Sequence, residues 1–387
     1  MPRTVISTSD AMAVKKYSAD TYMEVVPKSF FLSKMMGPVT KMGQYRTESD
    51  PDYPIHVITD LENEKGYNIS YDIFYRAKGI PILGDNILRG NEMDLKKASD
   101  NVSIDQVRQG FNLGGRLSRQ YTVHDLGKVA KAFGVGWCSE ILDELFFLYL
   151  AGDRGDDTGI WILPTAYAGI GGNTVTAPQS GRAIYGGDAT TTATVDVNDK
   201  FTIDLIDRGV AMLDMTTPFI RPPKMGGQTW RGIAVLHPYC VHDMITNTGT
   251  GQWQDLQKMA GPRDLSNPIF KGGDFVGVYN DVAIFKHSKV PRNHDWGSGS
   301  NVYGARNLVL GAQAGVIAWG AAKGNKGNRF KWHTETEDRG NVDVLDFGAM
   351  FGIKRVIFTD PNDSTAKDNG MITINTACAN PNSSTGA

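Results

Sequence analysis

The sequence predicts an α+β protein, and three observations carry that prediction. Residues 68–76 alternate apolar and polar side chains with a period of two, which is typical of a half-buried strand. Residues 122–150 repeat apolar side chains at steps of three and four, which is typical of a helix packed along one face. Glycine makes up 44 of the 387 residues, above the usual ~7%, so many turns and strand connections are expected.

Composition and charge exclude several classes of protein. The chain is 41% hydrophobic and 21% charged, which fits a folded protein rather than a disordered one, and its 387 residues correspond to two to three domains or one large elaborated domain. A formal net charge of −2 gives no global basic field, so a dedicated DNA-binding module is disfavoured. Cys138, Cys240 and Cys378 are widely spaced and fit a reducing cytosol. The longest apolar run, at 309–322, is too short to span a bilayer, and no signal peptide is predicted.

The first part of the chain is predicted to form an arm, followed by a long loop between two strands. Residues 1–50 have short apolar clusters but no sustained period, so this arm must lie on its own body or on a neighbouring subunit to be stable. The strand at 68–76 and a second one at 101–113 are separated by about 25 residues with little periodicity. Connections of that length without a core usually serve function or bind a partner.

The clearest predicted element is the helix at 122–150. Thr122 with Asp125 resembles a capping box, and Gly152 stands just beyond the end. A helix of about 29 residues is about 43 Å long and needs a long surface to lie on. Gly134 and Gly136 make a bend plausible.

The rest of the sequence predicts an α+β body in which helices and strands alternate along the chain. Residues 153–200 read as loops with short strands. Later elements are helices at 201–215, 237–246 and 252–259, a buried strand at 232–236, a hairpin at 276–286 around Asn280-Asp281, a core helix or strand–helix element at 307–321, short strands at 355–359 and 371–376, and a polar tail at 380–387.

No local catalytic or metal motif is present. The chain lacks a phosphate loop, a GxSxG elbow and an HExxH pair. His237, Cys240 and His242 form the most metal-like cluster, but their spacing does not place all three on one helical face, so a buried cysteine beside a His-Pro helix start is the preferred interpretation. The acidic turn of Asp153, Asp156 and Asp157 does not have calcium-loop spacing. We therefore predict no enzyme activity, no cofactor and no metal.

Short motifs in a fixed order run along nearly the whole chain: 84–92 (GDNILRGNE), 102–106 (VSIDQ), 182–187 (RAIYGG), His237-Pro238, 267–270 (NPIF), 310–314 (LGAQA) and Gly340-Asn341. Together they resemble the major capsid protein family of N4-like and many other tailed phages, which has the HK97 fold. The order of arm, long loop, long helix and α+β body is similar to that fold as well. Two departures, the Thr-rich segment 188–194 and Arg339 in place of the more usual aromatic, concern local loop shape.

The resemblance implies an HK97-like phage coat fold with four parts. They are an N-terminal arm at 1–50, an extended E-loop at 51–115, a peripheral domain at 116–200 and 345–387 with the 122–150 helix as its spine, and an axial domain at 201–344 around the symmetry axes of the capsomers. An E-loop cannot bury its own apolar face, so it is expected to lie across a neighbouring subunit.

The implied function is that of a major capsid protein. Hexamers and pentamers of the chain would form the icosahedral head shell in the virion, after assembly in the host cytoplasm. The expected partners are the chain itself, a scaffolding protein on a separate chain, a portal, a possible decoration protein, and packaged double-stranded DNA contacted non-specifically on the inner face; no membrane is involved. Covalent cross-linking between subunits stays open. The alternatives are a tail-associated or carbohydrate-binding structural virion protein, suggested by the Gly/Thr-rich residues 153–200, and an unrecognised hydrolase.

The candidate site is a subunit interface on the E-loop. Asp85, Arg89, Asn91 and Glu92 stand among glycines that permit unusual backbone angles. We expect these polar side chains to bond between subunits, with maintenance of loop solubility as the alternative.

Overall fold

A computed structural model describes residues 29–42, 46–62, 65–76, 79–120, 126–157, 159–249, 252–253, 273–321, 329–361 and 364–382. The predicted capping box at Thr122, most of the predicted helix at 252–259 and most of the predicted arm lie outside these residues.

The described residues include five α-helices and twenty strands. In chain order these are α1 (Phe30–Lys34), β1 (Val39–Met42), β2 (Arg46–Ser49), β3 (Ile55–Ile58), β4 (Asn68–Phe74), β5 (Lys97–Ser103), β6 (Asp105–Gly115), α2 (Arg116–Gln120), α3 (Leu126–Ala151), β7 (Ala183–Tyr185), α4 (Asp204–Met215), β8 (Lys224–Met225), β9 (Gln228–Thr229), β10 (Gly232–Leu236), α5 (Pro238–Thr246), β11 (Phe275–Tyr279), β12 (Val282–Lys286), β13 (Arg292–Trp296), β14 (Val302–Leu310), β15 (Gly315–Gly320), β16 (Phe330–Glu337), β17 (Val342–Arg355), β18 (Ile357–Thr359), β19 (Ala366–Asp368) and β20 (Met371–Ala377).

Two seven-stranded sheets make up most of the body. Six strands of sheet I have the order β1-β2-β3-β15-β17-β16. The seventh strand, β6, pairs with the edge of β17 that lies opposite β15 and β16. Sheet II has the order β11-β12-β10-β14-β20-β7, and β13 pairs with β14. One large core joins α3 to a face of each sheet, and a second core joins the other face of sheet II to α4 and α5. The helix α3 is therefore the layer between the two sheets.

The helix α3 confirms the predicted long helix and continues without a break through Gly134 and Gly136. From Cys138 onward almost every residue is buried, because both sheets cover this half of the helix. Gly134 is needed for close packing, since a Cβ there would lie 3.0 Å from Cη2 of Trp332. Gly152 ends the helix at φ +69°, as predicted from its position.

Strand β10 shows why a strand inside sheet II has a continuous apolar sequence. All five of its residues are buried. Ile233 and Val235 belong to the core around α3, whereas Ala234 and Leu236 belong to the core under α4 and α5. A strand covered on both faces loses the polar half of its alternation.

Two buried acidic residues of α3 hold neighbouring segments on the helix. The Asp143 carboxylate accepts hydrogen bonds from Ser29 Oγ at 2.7 Å, Phe30 N at 2.9 Å and Phe31 N at 3.2 Å. The Glu144 carboxylate accepts from Ile162 N at 2.7 Å and from Leu163 N at 2.9 Å. These donors offset part of the cost of burying the carboxylates, and Glu144 also forms an ion pair with Lys289. Each carboxylate therefore fixes a segment that has no core of its own.

Several smaller predictions are confirmed. The hairpin of β11 and β12 turns at Asn280 and Asp281, both with positive φ, as its two-residue loop requires. His237 caps α5 and Pro238 takes the first helical position.

Two predictions were wrong. Residues 307–321 form strands β14 and β15 joined by a turn, not a core helix or a strand–helix element, because both strands are buried on two faces and periodicity cannot separate that case from a helix. The predicted strand at 101–113 is two strands, β5 and β6, which separate at Ile104.

Residues 330–354, to which the sequence pattern assigned no element, belong to the hairpin of β16 and β17, which ends at Arg355. The expected boundary between residues 344 and 345 falls inside β17, so a cut there would divide one strand.

Candidate subunit interface

Strands β4 and β5 form a two-stranded hairpin whose base is fixed to the body. They pair antiparallel from Asn68 with Ser103 to Phe74 with Lys97. The inward side chains of the hairpin pack on Val316 and Ala318 at one face of sheet I and on Phe358 of β18. The hairpin base therefore shares a core with the body.

A polar cluster locks the same base. Tyr71 Oη donates a hydrogen bond to Asp100 Oδ2 at 2.7 Å, and the ammonium of Lys354 forms an ion pair with the same carboxylate. Burial, and then the negative charge of Asp100, raise the pKa of Tyr71 well above its usual value. Tyr71 is therefore a neutral hydrogen-bond donor at any physiological pH.

Within the described residues, the hairpin tip, residues 79–96, has no such support. Six large apolar side chains are exposed there, and their solvent-exposed fractions are 93% for Ile80, 72% for Leu83, 74% for Ile87, 63% for Leu88, 56% for Met93 and 80% for Leu95. Gly84 and Gly90 have positive φ, and a Cβ at either would meet nothing within 4 Å. A soluble surface rarely concentrates apolar side chains to this degree without a partner.

All four predicted interface residues lie on this tip and are exposed. Asp85 and Arg89 make no hydrogen bond or ion pair with any residue that the structure describes. Asn91 and Glu92 are partly used within the tip: Asn91 Nδ2 donates to Ile87 O at 3.0 Å, and Glu92 accepts from Gly90 N at 2.7 Å. The structure therefore places the four on one surface but gives two of them a local task that the sequence did not show.

The apolar side chains of the tip are the part of the candidate interface that residue-level reasoning missed. The sequence signal was present, since Ile80, Leu83, Ile87 and Leu88 stand between glycines and prolines. It had no period, so no buried face could be assigned to it.

Two members of the metal-like cluster, His237 and Cys240, are buried under sheet II, whereas His242 is exposed. His237 Nδ1 lies 3.2 Å from Cys378 Sγ and accepts a hydrogen bond from Tyr239 N. Burial lowers the pKa of His237 to about 4, so its 3.9 Å approach to Asp157 is not an ion pair at neutral pH. Asp157 pairs with Arg292 instead, at 2.8 Å.

Among the residues that the structure describes, no group of three or more histidine, cysteine or acidic side chains is placed to hold a metal ion. Within the same residues, no helix is both long enough and apolar enough to cross a bilayer.

Known proteins are similar to this chain over nearly its full length. The family model described as phage capsid protein matches residues 5–380. The capsid protein of Ralstonia phage GP4 is 32% identical, covers 99% of this chain and 100% of its own, and superposes with a TM-score of 0.76. The major capsid protein of Pseudomonas phage KPP25 is 25% identical over 84% of this chain and 88% of its own. A capsid subunit of cyanophage Pam1, at 19% identity and a TM-score of 0.67, shares the fold.

Two sheets around one long helix, with a hairpin projecting from the body, define an HK97-like coat fold. The chain belongs to the phage capsid protein family and is a shell-forming major capsid protein. The expectation of a phage coat protein is thereby confirmed, and the tail-associated and carbohydrate-binding alternatives are set aside. Membership in the N4-like branch stays a prediction.

Proposed function

We propose that this chain assembles into hexamers and pentamers of an icosahedral head shell, and that the hairpin tip is a principal contact between subunits. The observation that carries the proposal is the exposed apolar tip on a firmly anchored base. Burying those side chains against a neighbour contributes free energy at about 25 cal/mol per Å² of apolar surface, and only assembly makes that contribution available.

In this proposal the hairpin is the projecting part of the E-loop predicted at 51–115. The helix α3 and sheet I form the peripheral domain, and sheet II with α4 and α5 forms the axial domain. Residues 315–355 then belong to the peripheral domain, because β15, β16 and β17 are strands of sheet I.

The proposed partners follow from the same role. They are a scaffolding protein on a separate chain, a portal, a decoration protein where one is present, and packaged double-stranded DNA held without sequence preference. Assembly takes place in the host cytoplasm. We also propose that the chain is not an enzyme, since its role requires close packing rather than an activated nucleophile.

A tip substitution with a matched control tests the interface. Leu88 and Val197 are equally exposed, at 63%, and only Leu88 lies on the tip. Replacing Leu88→Ser should lower the yield of particles counted by electron microscopy, whereas Val197→Ser should not. Neither change should move the melting temperature of unassembled subunits, because neither side chain is in a core.

The polar residues of the tip are tested by the double variant Arg89→Ala and Glu92→Ala. We expect unassembled subunits to melt as the parent does, and particles to form in lower yield or to resist heat less well. An exposed pair is worth only about 0–1 kcal/mol, but the contact repeats throughout a shell. Particles that form and survive heating like the parent would show that these residues only keep the tip soluble.

A further inference from the structure

Half of one face of sheet I is left open by the hairpin. The base of the hairpin packs on this face at β15, where Ile104 lies so close to Gly320 that a Cβ there would be 2.5 Å from the Ile104 side chain. Beyond Ile104 the strands β6, β17 and β16 line a cleft of about 230 Å³ that no other described element covers.

Glycine forms the floor of this cleft, and basic residues form its walls. Lys331 of β16 and Arg108 of β6 both pair with Gly348 of β17. Directly paired residues face the same side of a sheet, and adjacent strands are about 4.8 Å apart, so the two cationic residues stand about 10 Å apart across the glycine. A Cβ at Gly348 would lie 2.8 Å from Arg108 Cγ, so the Arg108 stem lies over the glycine.

Two cationic side chains of the cleft, Arg108 and Lys331, are unpaired within the part of the chain that the structure describes. Arg108, Lys331 and the neighbouring His333 form no ion pair or hydrogen bond with any described residue. Partial burial lowers the pKa of Lys331. Arg329, at the margin, is already paired with Glu62 at 2.6 Å. Asp346, opposite His333, is the one carboxylate among the residues that line the cleft.

We infer that this basic cleft receives the hairpin tip of a second copy of the chain, with the carboxylates of Asp85 and Asp94 between Arg108 and Lys331. This inference rests on the proposed function and names the surface that the tip meets. The tip, residues 79–96, carries three acidic residues, Asp85, Glu92 and Asp94, against two basic ones, Arg89 and Lys96, so it is acidic by one charge. Since Glu92 accepts from Gly90 N, Asp85 and Asp94 are the carboxylates without a partner among the described residues.

The shape and polarity of the cleft favour a protein tip over a phosphate backbone. Met350 and Gly320 give one side of the cleft an apolar lining, which suits Ile87 or Leu88 of the tip and offers nothing to a phosphate. The other half of the same face already holds hairpin strands of its own chain. A second hairpin would continue that layer.

Charge reversal in both surfaces tests the inference. The cleft variant is Arg108→Glu with Lys331→Glu, and the tip variant is Asp85→Lys with Asp94→Lys. Each alone should lower particle yield by about tenfold or more, because like charges then face each other. The chain that carries all four changes should recover most of the parent yield, since the attraction is restored with opposite signs. Melting of unassembled subunits should stay the same in all three.

Three results would overturn the inference. If the cleft variant assembles like the parent, the cleft does not receive the tip. If the tip variant fails to assemble in that same experiment, the proposed role of the tip in assembly still stands. If both variants fail and the fourfold chain is not rescued while its subunits still fold, the two surfaces do not meet. If the cleft variant assembles normally but retains less DNA, the cleft binds phosphate.

A second measurement stays decisive should reversed charges prevent folding. The three native cysteines are buried, so Asp85→Cys with Lys331→Cys adds two accessible thiols. Treatment of particles with a short bismaleimide should then give dimers and longer ladders on denaturing gels, and either single variant should give none. Monomer alone from the double variant in intact particles would refute the contact.

Discussion

The C-terminal half of α3 and the hairpin tip are both rich in large apolar side chains, yet they stand in opposite situations. Phe146, Phe147 and Leu148 of α3 have almost no exposed surface, whereas Ile80 and Leu95 of the tip are almost fully exposed. The helix is stabilised by contacts within its own chain, and the tip is stabilised only when another surface covers it. A subunit built this way can fold alone and still gain apolar burial on assembly.

The largest expected effect comes from removing a side chain of the central core. Phe146 is fully buried, and its ring centroid lies 4.9 Å from that of Phe31. Phe146→Ala should lower the free energy of unfolding of the isolated subunit by about 3–5 kcal/mol, measured by chemical denaturation. Ile87→Ala, its counterpart on the tip, should change that free energy by less than about 0.5 kcal/mol. Similar losses from both would mean that the tip is already packed within the subunit.

An intermediate, pH-dependent effect is expected at Asp143. Its burial raises its pKa from 3.8 to about 6, although the hydrogen bonds from residues 29–31 and the positive charge of Lys289 oppose the shift. The folded subunit therefore holds this proton more tightly than the unfolded chain does. The stability from this group is fully present below pH ~4 and is lost as the pH rises through about 6.

The comparison with Asp143→Asn isolates this titration, because asparagine does not ionise. Between pH 4 and pH 7 the unfolding free energy of the parent should fall relative to that of the variant by up to about 3 kcal/mol. Asp94→Asn on the exposed tip should give no such trend. A difference between parent and Asp143→Asn that is flat with pH, in denaturation curves at matched ionic strength, would contradict the assignment.

The smallest expected effect concerns two glycines with similar backbone angles. Gly152 and Gly84 have φ of +69° and +65°. A Cβ at Gly152 would lie 2.0 Å from the carbonyl oxygen of Thr176, whereas one at Gly84 would meet nothing within 4 Å. Gly152→Ala should therefore cost the isolated subunit at least ~2 kcal/mol, from strain together with overpacking, and Gly84→Ala about 1 kcal/mol or less. Thermal melting of the two variants side by side measures the difference, and equal costs would show that strain alone sets both.

The sequence by itself determined the elements whose local signals agree with their final surroundings. The long helix has apolar side chains at steps of three and four and a terminal glycine, so its position was predictable within a few residues. The burial of its C-terminal half on all sides was not, because the sequence predicted one packed face. Strand β4, the Asn280-Asp281 turn and the His237-Pro238 helix start were predictable because turn and cap chemistry acts over only a few residues. The four tip residues could be placed on one loop because glycines on either side mark that loop.

Only the tertiary structure decided the elements that depend on distant partners. Residues 307–321 became strands because β3, β17 and β20 pair with them, and a run buried on two faces carries no period to reveal this. Residues 330–355 became a long hairpin because β6, more than 200 residues earlier in the chain, pairs along β17. The basic cleft arises from the same pairing: Arg108 and Lys331 lie far apart in sequence, and strand register places both beside one glycine.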